Sequence, residues 1–348
     1  RTSRVRDLSF GDFGFAVFGA SLLHQGVSAF ESCPRSVERD GGDRLSGLRV
    51  EFARSSFVGS QRSETWLLDC GEATQHQLIR HPDLKFGSIR RIFITHMHGD
   101  HIYGLPGLLS TCGMSNPPEA IDVYGPPGLK NYLDSVLRWS ESRISYPFRV
   151  HAVEPGMILE EKDYVVFCAP LDHRVQAFGY RIVERDRPGT FDIAKAKADN
   201  IPSGPIYGKL KAGKSVELPD GRIIDGRDYV GSPQPGRILT YCTDTIFCRN
   251  AIDLARGADL LIHEATFATR DLHLAKRAKH STAAMAAQVA FEAKAETLMM
   301  THFSPRYAPD AEITLDDVLN EAREIFPNTL VARDRLTHDI PRRSGSSD

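Results

Sequence analysis

The 348-residue sequence predicts an α/β (α+β) fold in which helices cover the outside of two packed mixed sheets. Hydrophobic residues make up 41% of the chain, which is enough to bury a large core. Strand-like and helix-like segments are interleaved, but they lack the strict β-α-β alternation of a doubly wound sheet. A cluster of histidines directly follows one strand-like segment, where α/β folds place their sites. We therefore expect one main domain with a site at its strand ends.

Short apolar segments rich in β-branched residues predict the strands, and segments with helical periodicity predict the helices. Strands are expected at residues 64–71, 89–95, 120–124, 164–169, 178–183, 238–242, 260–263 and 297–301. Helices are expected at residues 75–80, 129–140, 251–256, 281–293 and 315–325, with a further apolar helix beyond Pro106. The main domain is expected to span residues 63–340, after an irregular segment, residues 1–62, that includes a first strand.

Residues 185–236 differ in composition from the rest of the expected domain. Hydrophobic periodicity fades between Glu184 and Gly236, while glycine, proline and lysine become more frequent. A long stretch without periodicity inside a compact domain is usually functional or disordered. We therefore interpret residues 185–236 as an arm that is inserted into the domain.

Charge and cysteine content narrow the class of protein only slightly. The formal net charge of −2 gives no overall polybasic signature, so any contact with nucleic acid must come from a local basic patch. Six cysteines are scattered without a C-x-x-C pair, which favours a reducing compartment. No uninterrupted apolar segment reaches the roughly 18 residues that a membrane span needs. We expect a cytoplasmic protein without a membrane partner, with a plastid or mitochondrion as the alternative.

A cluster of candidate metal ligands follows the strand expected at residues 89–95, and three more follow later strands. One group is expected to consist of His96, His98 and His173, and the other of Asp100, His101 and His302. If the groups converge, Asp244 bridges them. A lone histidine is more often structural, but this many ligands exceed what one catalytic zinc requires. The cluster therefore predicts two zinc ions per subunit, with manganese as the alternative metal.

Two neighbouring metal ions predict a hydrolase. Such a pair lowers the pKa of a bound water, orients it, and stabilises charge on a phosphoryl group during displacement. The metals alone do not choose between phosphodiester, thioester and lactam substrates, so the substrate class has to come from other residues.

Further short motifs repeat those of a known family. They are Asp69-Cys-Gly-Glu72, Thr95-His-Met-His-Gly-Asp-His101, Gly104-Leu-Pro-Gly-Leu-Leu109, Leu171-Asp-His173, Thr243-Asp-Thr245, His263-Glu-Ala-Thr266, His280-Ser-Thr282 and Thr301-His-Phe-Ser-Pro-Arg-Tyr307. The H-x-H-x-D-H motif alone indicates only the metallo-β-lactamase superfamily. The whole set, from Glu64 to Asp334, resembles ribonuclease Z (tRNase Z) in its short cyanobacterial and plastid-like form.

The resemblance implies a four-layer αβ/βα sandwich with the flexible arm inserted, and a zinc-dependent endoribonuclease. Such an enzyme cuts the 3′ trailer from precursor tRNA after the discriminator nucleotide, leaving a tRNA 3′-hydroxyl and a 5′-phosphorylated trailer. The candidate ligands match the family's metal ligands residue by residue. The resemblance also implies that Asp100 takes the proton of the nucleophile, that Asp69 orients a ligand histidine, and that the protein is a homodimer.

The resemblance assigns roles outside the metal cluster as well. His280, oriented by Glu264, matches the histidine that protonates the departing ribose 3′-oxygen; the alternative is a structural position at the start of a helix. Ser304 and Arg306 resemble a phosphate-contacting segment. The arm resembles the family's tRNA-binding exosite, and the matching residues are Lys195, Lys197, Gly204, Pro205, Tyr207, Lys209 and Lys211.

Residues 22–62 depart from the family, because they lack its loop that senses the tRNA 3′ end. This departure leaves the discrimination against mature CCA ends open. Two other functions also stay open: hydrolysis of small phosphodiesters or sulfate esters, and tRNA binding by an inactive relative. The complete ligand set and the arm favour the ribonuclease.

Overall fold

The computed structural model describes residues 15–17, 48–51, 64–80, 85–115, 118–187, 189–334 and 336–343. The strands within these residues are β1 (Phe15–Val17), β2 (Leu48–Glu51), β3 (Thr65–Leu68), β4 (Ile89–Phe93), β5 (Ile121–Gly125), β6 (Phe148–Ala152), β7 (Gly156–Glu160), β8 (Tyr164–Leu171), β9 (Ala177–Glu184), β10 (Val216–Glu217), β11 (Ile223–Ile224), β12 (Ile238–Cys242), β13 (Leu260–Glu264), β14 (Thr297–Thr301), β15 (Thr329–Val331) and β16 (Thr337–Ile340). The helices are α1 (Thr74–Arg80), α2 (Gly99–Ile102), α3 (Leu105–Ser115), α4 (Leu129–Trp139), α5 (Ile193–Ala198), α6 (Pro205–Lys211), α7 (Arg249–Ala255), α8 (Leu272–Ala278), α9 (Ala283–Ala293) and α10 (Leu315–Ile325).

Two seven-stranded sheets form the centre of the fold. The first has the order β16-β2-β1-β3-β4-β5-β6, and its neighbours run parallel except β16, which is antiparallel to β2. The second has the order β15-β14-β13-β12-β9-β8-β7, with β12 to β15 parallel and the other neighbours antiparallel. Strands β1 and β2 belong to the first sheet, so this sheet begins before the expected domain boundary at residue 63.

Aromatic side chains join the two sheets. Trp66 of β3 meets Tyr164 of β8 edge-on, with ring centroids 4.5 Å apart. Phe93 of β4 packs against Tyr180 of β9 at 5.3 Å. The buried hydroxyl of Tyr180 donates a hydrogen bond of 2.6 Å to the carbonyl of Ile94, which avoids the cost of an unpaired polar group. These contacts hold the strand ends of both sheets close together.

Helices cover the outer faces of both sheets. Leucines of α3 and α4 are buried in the core of the first sheet, and α7, α9 and α10 enclose a second core on the other side. The buried face of α9 is made almost entirely of alanine, and small side chains allow close packing. This layering confirms the expected αβ/βα sandwich. None of the helices in the described residues has both the length and the apolar character needed to cross a bilayer.

All strands and helices expected from the sequence are present, with small shifts at their ends. The four strands at the sheet edges, β6, β7, β15 and β16, are not predicted. Side chains on β6 and β7 are half-buried or exposed, because an edge strand packs on fewer neighbours. Such strands carry no continuous apolar pattern that would reveal them in the sequence.

The arm, residues 185–236, is a small folded unit rather than an irregular stretch. Helices α5 and α6 and the hairpin β10–β11 have a core of their own. Its buried residues are Phe191, Ala196, Ile201, Leu210, Val216, Leu218 and Tyr229. The helices have six and seven residues, too few to show periodicity in the sequence. An antiparallel neck joins the arm to β9 and β12, with Arg187 and Gln234 exchanging backbone hydrogen bonds of 3.0 and 2.9 Å.

Candidate metal centre

The candidate ligands converge at the strand ends of both sheets. The first sheet and the short helix after it contribute His96, His98, Asp100 and His101, whereas the second sheet contributes His173, Asp244 and His302. The metal centre proposed from the sequence therefore lies between the sheets, and neither sheet could build it alone.

Left-handed backbone occurs at three positions around this centre. The φ angle is 63° at Asp69, 51° at Asp244 and 60° at His302. A non-glycine residue in this region costs of order 1 to 3 kcal/mol, and such strain is concentrated at functional sites. Asp69 and His302 directly follow β3 and β14, so the chain turns sharply where each strand ends. The turns bring Asp244 Oδ1 and His302 Nε2 to within 3.3 Å of each other.

The first group of candidate ligands consists of three imidazole nitrogens and one carboxylate oxygen. His98 Nδ1 lies 2.9 Å from His96 Nε2 and 3.4 Å from His173 Nε2. Asp244 Oδ2 lies 3.5 Å from His96 Nε2 and 3.8 Å from His173 Nε2. Nitrogen and oxygen ligands of this kind are the set that zinc prefers.

The second group lies on the other side of Asp244. Asp244 Oδ1 lies 3.4 Å from His101 Nε2 and 3.3 Å from His302 Nε2. Asp100 Oδ2 lies 3.9 Å from His101 Nε2. Each oxygen of Asp244 thus faces a different group, which is the position expected of a bridging ligand.

The charges around both groups fit divalent cations. His101 Nε2 is buried and makes no hydrogen bond within the described part of the chain, although a buried polar atom normally has one. Burial lowers the pKa of His96 to about 2, so its ring is neutral and offers a lone pair. Burial also lowers the pKa of His101, but the charges of Asp244 and Asp69 outweigh burial. The net result is a pKa of His101 well above its ordinary value. A metal ion beside His101 would supply the positive charge that these carboxylates favour.

Hydrogen bonds on the far side of the rings orient two of the histidines. Asp69 is fully buried, and its Oδ2 accepts a hydrogen bond of 2.8 Å from His101 Nδ1. The carbonyl of Lys279 accepts a hydrogen bond of 3.0 Å from His173 Nδ1. Protonation of Nδ1 leaves the lone pair on Nε2, the atom that faces the centre. Asp69 therefore lies where the sequence predicts a residue that orients a ligand.

His280 lies beside the second group and is bound to Glu264. His280 Nδ1 donates a hydrogen bond of 2.8 Å to Glu264 Oε1, and the His280 ring stacks on His302 with centroids 5.2 Å apart. Burial lowers the pKa of His280, but the hydrogen bond and charge of Glu264 raise it more, so the net shift is upward. An upward shift of the pKa favours the protonated imidazole, which is the state that a general acid requires.

Sequence relatives identify the family. A family model described as anti-Pycsar protein Apyc1 matches residues 46–178. Ribonuclease Z of Trichodesmium erythraeum (strain IMS101) is 57% identical over 282 residues, which cover 81% of this chain and 88% of that protein. Ribonuclease Z of Nostoc punctiforme (strain ATCC 29133 / PCC 73102) is 56% identical over 283 residues, with coverage of 81% and 88%. The chain belongs to the ribonuclease Z family.

Solved structures agree with this assignment. Human tRNase Z, short form, is similar with a TM-score of 0.58 and 28% identity, over 82% of this chain and 92% of that chain. The metallo-beta-lactamase fold protein YhfI from Bacillus subtilis has a TM-score of 0.55 and 16% identity, over 83% and 98% of the two chains, which shows the fold alone. The expected fold class and the resemblance to ribonuclease Z are both confirmed.

The segment that resembles the phosphate-contacting residues of ribonuclease Z follows His302. Ser304 Oγ accepts a hydrogen bond of 3.1 Å from Arg306 Nε, and the Arg306 guanidinium lies 5.5 Å from the centre of the Phe267 ring. Arg306 is also 3.9 Å from Asp271 Oδ1, so its charge is only loosely paired. The two predicted residues are therefore in contact with each other at the edge of the centre.

The residues predicted to form the exosite of this ribonuclease Z differ in exposure. Lys197, Lys209 and Lys211 are exposed, and Gly204 and Pro205 begin α6. Lys195 makes contacts within the arm. Its Nζ donates a hydrogen bond of 2.7 Å to the carbonyl of Asp228 and lies 4.9 Å from the centre of the Tyr229 ring. Tyr207 is half-buried, and its hydroxyl donates a hydrogen bond of 3.2 Å to the carbonyl of Ile201. Lys195 and Tyr207 thus contribute to the arm's own structure.

Two parts of the site are not given by the sequence. The carbonyl of Lys279, which orients His173, has no sequence signal because any residue has a carbonyl. The hydroxyl of Tyr241 donates a hydrogen bond of 3.1 Å to Asp69 Oδ2, but the position of Tyr241 on β12 predicts only a core residue.

The departure from the family at residues 22–62 lies outside the described residues, apart from β2.

Proposed function

We propose that this chain is the endoribonuclease that removes the 3′ trailer from precursor tRNA, cutting after the discriminator nucleotide. The products would be a tRNA 3′-hydroxyl and a 5′-phosphorylated trailer. Membership in the ribonuclease Z family confirms the predicted class, a metal-dependent endoribonuclease of tRNA 3′ processing. The observation that carries the finer proposal is the convergence of the candidate ligands beside the His280–Glu264 pair.

We propose two zinc ions as the cofactors, with manganese as the alternative. His96, His98 and His173 would hold one ion, Asp100, His101 and His302 the other, and Asp244 would contact both. When bound, the ions would lower the pKa of a water and stabilise charge on the phosphodiester. The donor set and the unpaired Nε2 of His101 support this assignment.

We propose that Asp100 and His280 carry out the two proton transfers. The Asp100 side chain is 39% exposed, so its carboxylate is open to an attacking water from which it would accept the proton. His280 has Nδ1 bound to Glu264, which leaves Nε2 free to donate a proton to the leaving 3′-oxygen. An acid and a base on separate residues allow both transfers within one displacement.

We propose that the arm binds tRNA through phosphate contacts, with Lys197 and Lys209 as the test residues because both are exposed. Replacing both with alanine should raise KM for precursor tRNA and weaken its dependence on salt, since phosphate contacts release counterions. Lys85→Ala with Lys162→Ala changes the same charge outside the arm and should leave KM unchanged. An equal effect of both double variants would contradict a local role of the arm.

The decisive experiment maps the products of a 3′-extended precursor tRNA at single-nucleotide resolution. Wild type should cut after the discriminator nucleotide, and Asp100→Ala should not. An armless variant lacking residues 191–230 joins Thr190 to Gly231, whose backbones are already hydrogen-bonded at 3.0 Å. This variant should lose most activity on precursor tRNA and keep activity on a chromogenic phosphodiester. Hydrolysis of the small ester with intact tRNA in wild type would select the alternative, a small-phosphodiester or sulfate-ester hydrolase.

We also propose a homodimer, as the resemblance to ribonuclease Z implies. Ile79, Met114 and Trp139, on helices that cover the first sheet, are 62%, 79% and 80% exposed and are the apolar side chains we choose to test as contacts. Trp139→Ser should shift the mass measured by light scattering towards that of one chain. A wild type with the mass of one chain would overturn this proposal.

For location we propose the cytoplasm, because the six cysteines lack a C-x-x-C pair. Immunolabelling of the native protein tests this, and signal confined to a plastid or mitochondrion would select the alternative.

A further inference from the structure

Two buried threonine hydroxyls connect carboxylates to candidate metal ligands. Thr95 lies between Asp69 and His96, and Thr266 lies between Glu264 and His302. Each carboxylate also binds a second histidine directly, His101 in the case of Asp69 and His280 in the case of Glu264. The same arrangement of carboxylate, hydroxyl and imidazole thus occurs once in each sheet.

In the first sheet, both oxygens of Asp69 act as acceptors. Thr95 donates its backbone N–H at 2.7 Å and its hydroxyl at 2.9 Å. Tyr241 OH and His101 Nδ1 donate to Oδ2 at 3.1 and 2.8 Å. The Thr95 oxygen lies 3.0 Å from His96 Nδ1 on its other side. Asp69 therefore acts only as an acceptor in these contacts.

In the second sheet, Glu264 has a similar set of contacts, with the backbone N–H of Thr245 in the place of the tyrosine hydroxyl. Oε1 accepts 2.8 Å hydrogen bonds from Thr245 N and from His280 Nδ1. Oε2 accepts from the backbone N–H of Thr266 at 3.2 Å and from its hydroxyl at 2.6 Å. The Thr266 oxygen lies 2.8 Å from His302 Nδ1. The geometry of the first sheet is repeated here with a different carboxylate.

The position of the hydroxyl proton follows from these contacts. A hydroxyl has one proton to donate, and a carboxylate is a stronger acceptor than a neutral imidazole nitrogen. The single proton of Thr266 is therefore directed at Glu264, and its oxygen can only accept from His302 Nδ1. His302 then carries a proton on Nδ1, which leaves the lone pair on Nε2, the atom that faces Asp244. The same reasoning applies to Thr95 and His96.

We propose that Thr95 and Thr266 are positioning residues that select the metal-binding tautomer of His96 and His302. This inference rests on the proposed metal centre. Because His96 belongs to the first group of ligands and His302 to the second, each threonine acts on a different metal ion. Loss of either hydroxyl removes the acceptor at Nδ1, so the proton can move to Nε2 and compete with the metal.

The test uses Thr95→Val and Thr266→Val, which replace the hydroxyl with a methyl group of similar size. Thr95→Ser and Thr266→Ser keep the hydroxyl and serve as rescue variants. Thr240→Val is the matched control, because Thr240 is also buried and, among the described residues, its hydroxyl donates a hydrogen bond of 3.3 Å to the carbonyl of Leu254 and contacts no candidate ligand. Zinc binding to the metal-free proteins is measured by competition with a chromophoric chelator, and bound zinc is counted by mass spectrometry.

We expect wild type and Thr240→Val to bind two ions with equal affinity. Each valine variant should bind one of its two ions about 10- to 100-fold more weakly, the usual effect of losing a partner of a ligand. The serine variants should restore wild-type affinity. In a His98→Ala background, which disables the first group, Thr266→Val should weaken the remaining ion and Thr95→Val should not.

Two results would separate the possible failures. If wild type does not bind two ions, the proposed metal centre is wrong. If wild type binds two ions and both valine variants keep full affinity, the centre stands and the role of the threonines is wrong. Nitrogen NMR of the histidines in the metal-free protein gives a second readout. The His302 signal should show protonated Nδ1 in wild type and lose that preference in Thr266→Val, whereas an unchanged tautomer would overturn the proposal.

Discussion

Burial and a neighbouring charge divide the histidines of the site into two chemical states. Burial lowers the pKa of His98 and His173 more than nearby charges and, for His173, the hydrogen bond to the Lys279 carbonyl raise it, so both rings are neutral and able to bind metal. Burial opposes protonation of His280 as well, but its partner Glu264 reverses the net shift of the pKa. Glu264 therefore distinguishes the proposed acid from His98 and His173, whereas His101 is shifted upward by Asp244 and Asp69.

Replacing His280 with alanine should remove the general acid and leave the ligands in place. We expect kcat on precursor tRNA to fall about 10²- to 10⁴-fold, the range for general acid catalysis, with bound metal unchanged. A chromogenic phosphodiester releases nitrophenolate, which needs no proton, so its hydrolysis should fall much less. His151→Ala, in β6 beside Asp122, is the control and should leave both rates unchanged. An equal loss on both substrates would show that His280 does not protonate the leaving group.

The residues of the site differ in how far the sequence reveals them. The candidate ligands can be predicted because each follows a strand-like segment and has a residue type that binds metal. The bridging hydroxyl of Thr266 cannot, because its partner His302 is 36 positions away and meets it only after β13 and β14 pair. Contacts of this kind depend on the register between strands, which the sequence pattern does not define.

At the scale of elements, the neck of the arm depends on glycine. A Cβ atom at Gly236 would lie 1.7 Å from the carbonyl oxygen of Glu184, so any side chain there would push the two backbone segments of the neck apart. Gly236→Ala should lower the free energy of unfolding by about 1 to 3 kcal/mol, which is the usual cost of an overpacked site. Gly208→Ala in α6 is the control, because its Cβ would meet nothing within 4 Å. The control should be neutral or stabilising by up to about 1 kcal/mol, since alanine favours helix. Thermal unfolding measures both, and equal stability of the two variants would contradict a tightly packed neck.

The base of the arm also contains a buried ion pair. The Glu184 carboxylate accepts hydrogen bonds of 2.8 Å from Arg237 and 2.9 Å from Arg187. It also forms an ion pair with Arg342, near the end of the described residues. Burial raises the pKa of Glu184, but the hydrogen bond and charge of Arg237 lower it more, so the net shift is downward. Glu184→Gln should cost about 3 kcal/mol at neutral pH, because it leaves the buried Arg237 without its counter-ion.

The effect of Glu184→Gln should depend on pH in a defined direction. A carboxyl whose pKa is lowered by folding stabilises the folded state above its unfolded value, here 4.5, and this contribution is lost as the pH falls through the folded pKa. The difference in stability between wild type and the variant should therefore be constant from pH 7 to about 5.5 and shrink below pH 4.5. Chemical unfolding over this range measures it. A difference that stays constant down to pH 3 would show that Glu184 acts through packing alone.

Among the strands, those buried on both faces are the ones that the sequence predicts most directly. Strands β3, β4, β12 and β14 lie inside the sheets, and their side chains are almost all buried, so each appears as an apolar run. The edge strands have a neighbouring strand on one side only, and the helices of the arm are only one or two turns long. Their stability comes from neighbours that are distant in sequence, so their own residues show little periodicity.

At the scale of the whole molecule, the proposed ligands lie on two sheets that are also joined by aromatic packing and by hydrogen bonds such as that from Tyr180 to the Ile94 carbonyl. His96, His98, Asp100 and His101 follow the first sheet, and the remaining candidates follow the second. Metal ions held between them would act as cross-links that exist only in the folded state. Stability and metal occupancy should therefore be coupled in this protein.

Removing the metals should destabilise the whole fold and not only the site. An ion that binds only the folded state stabilises it by about 2.7 kcal/mol at a concentration of 100 times its Kd, so a chelator should lower Tm and added zinc should restore it. Asp244→Asn is the control, because asparagine tolerates the left-handed backbone at this position but is a weaker ligand for both groups. Calorimetry should show a large effect of the chelator on wild type and a small one on the variant. An unchanged Tm of zinc-loaded wild type after complete removal of zinc would mean that the two sheets are joined without help from the metal centre.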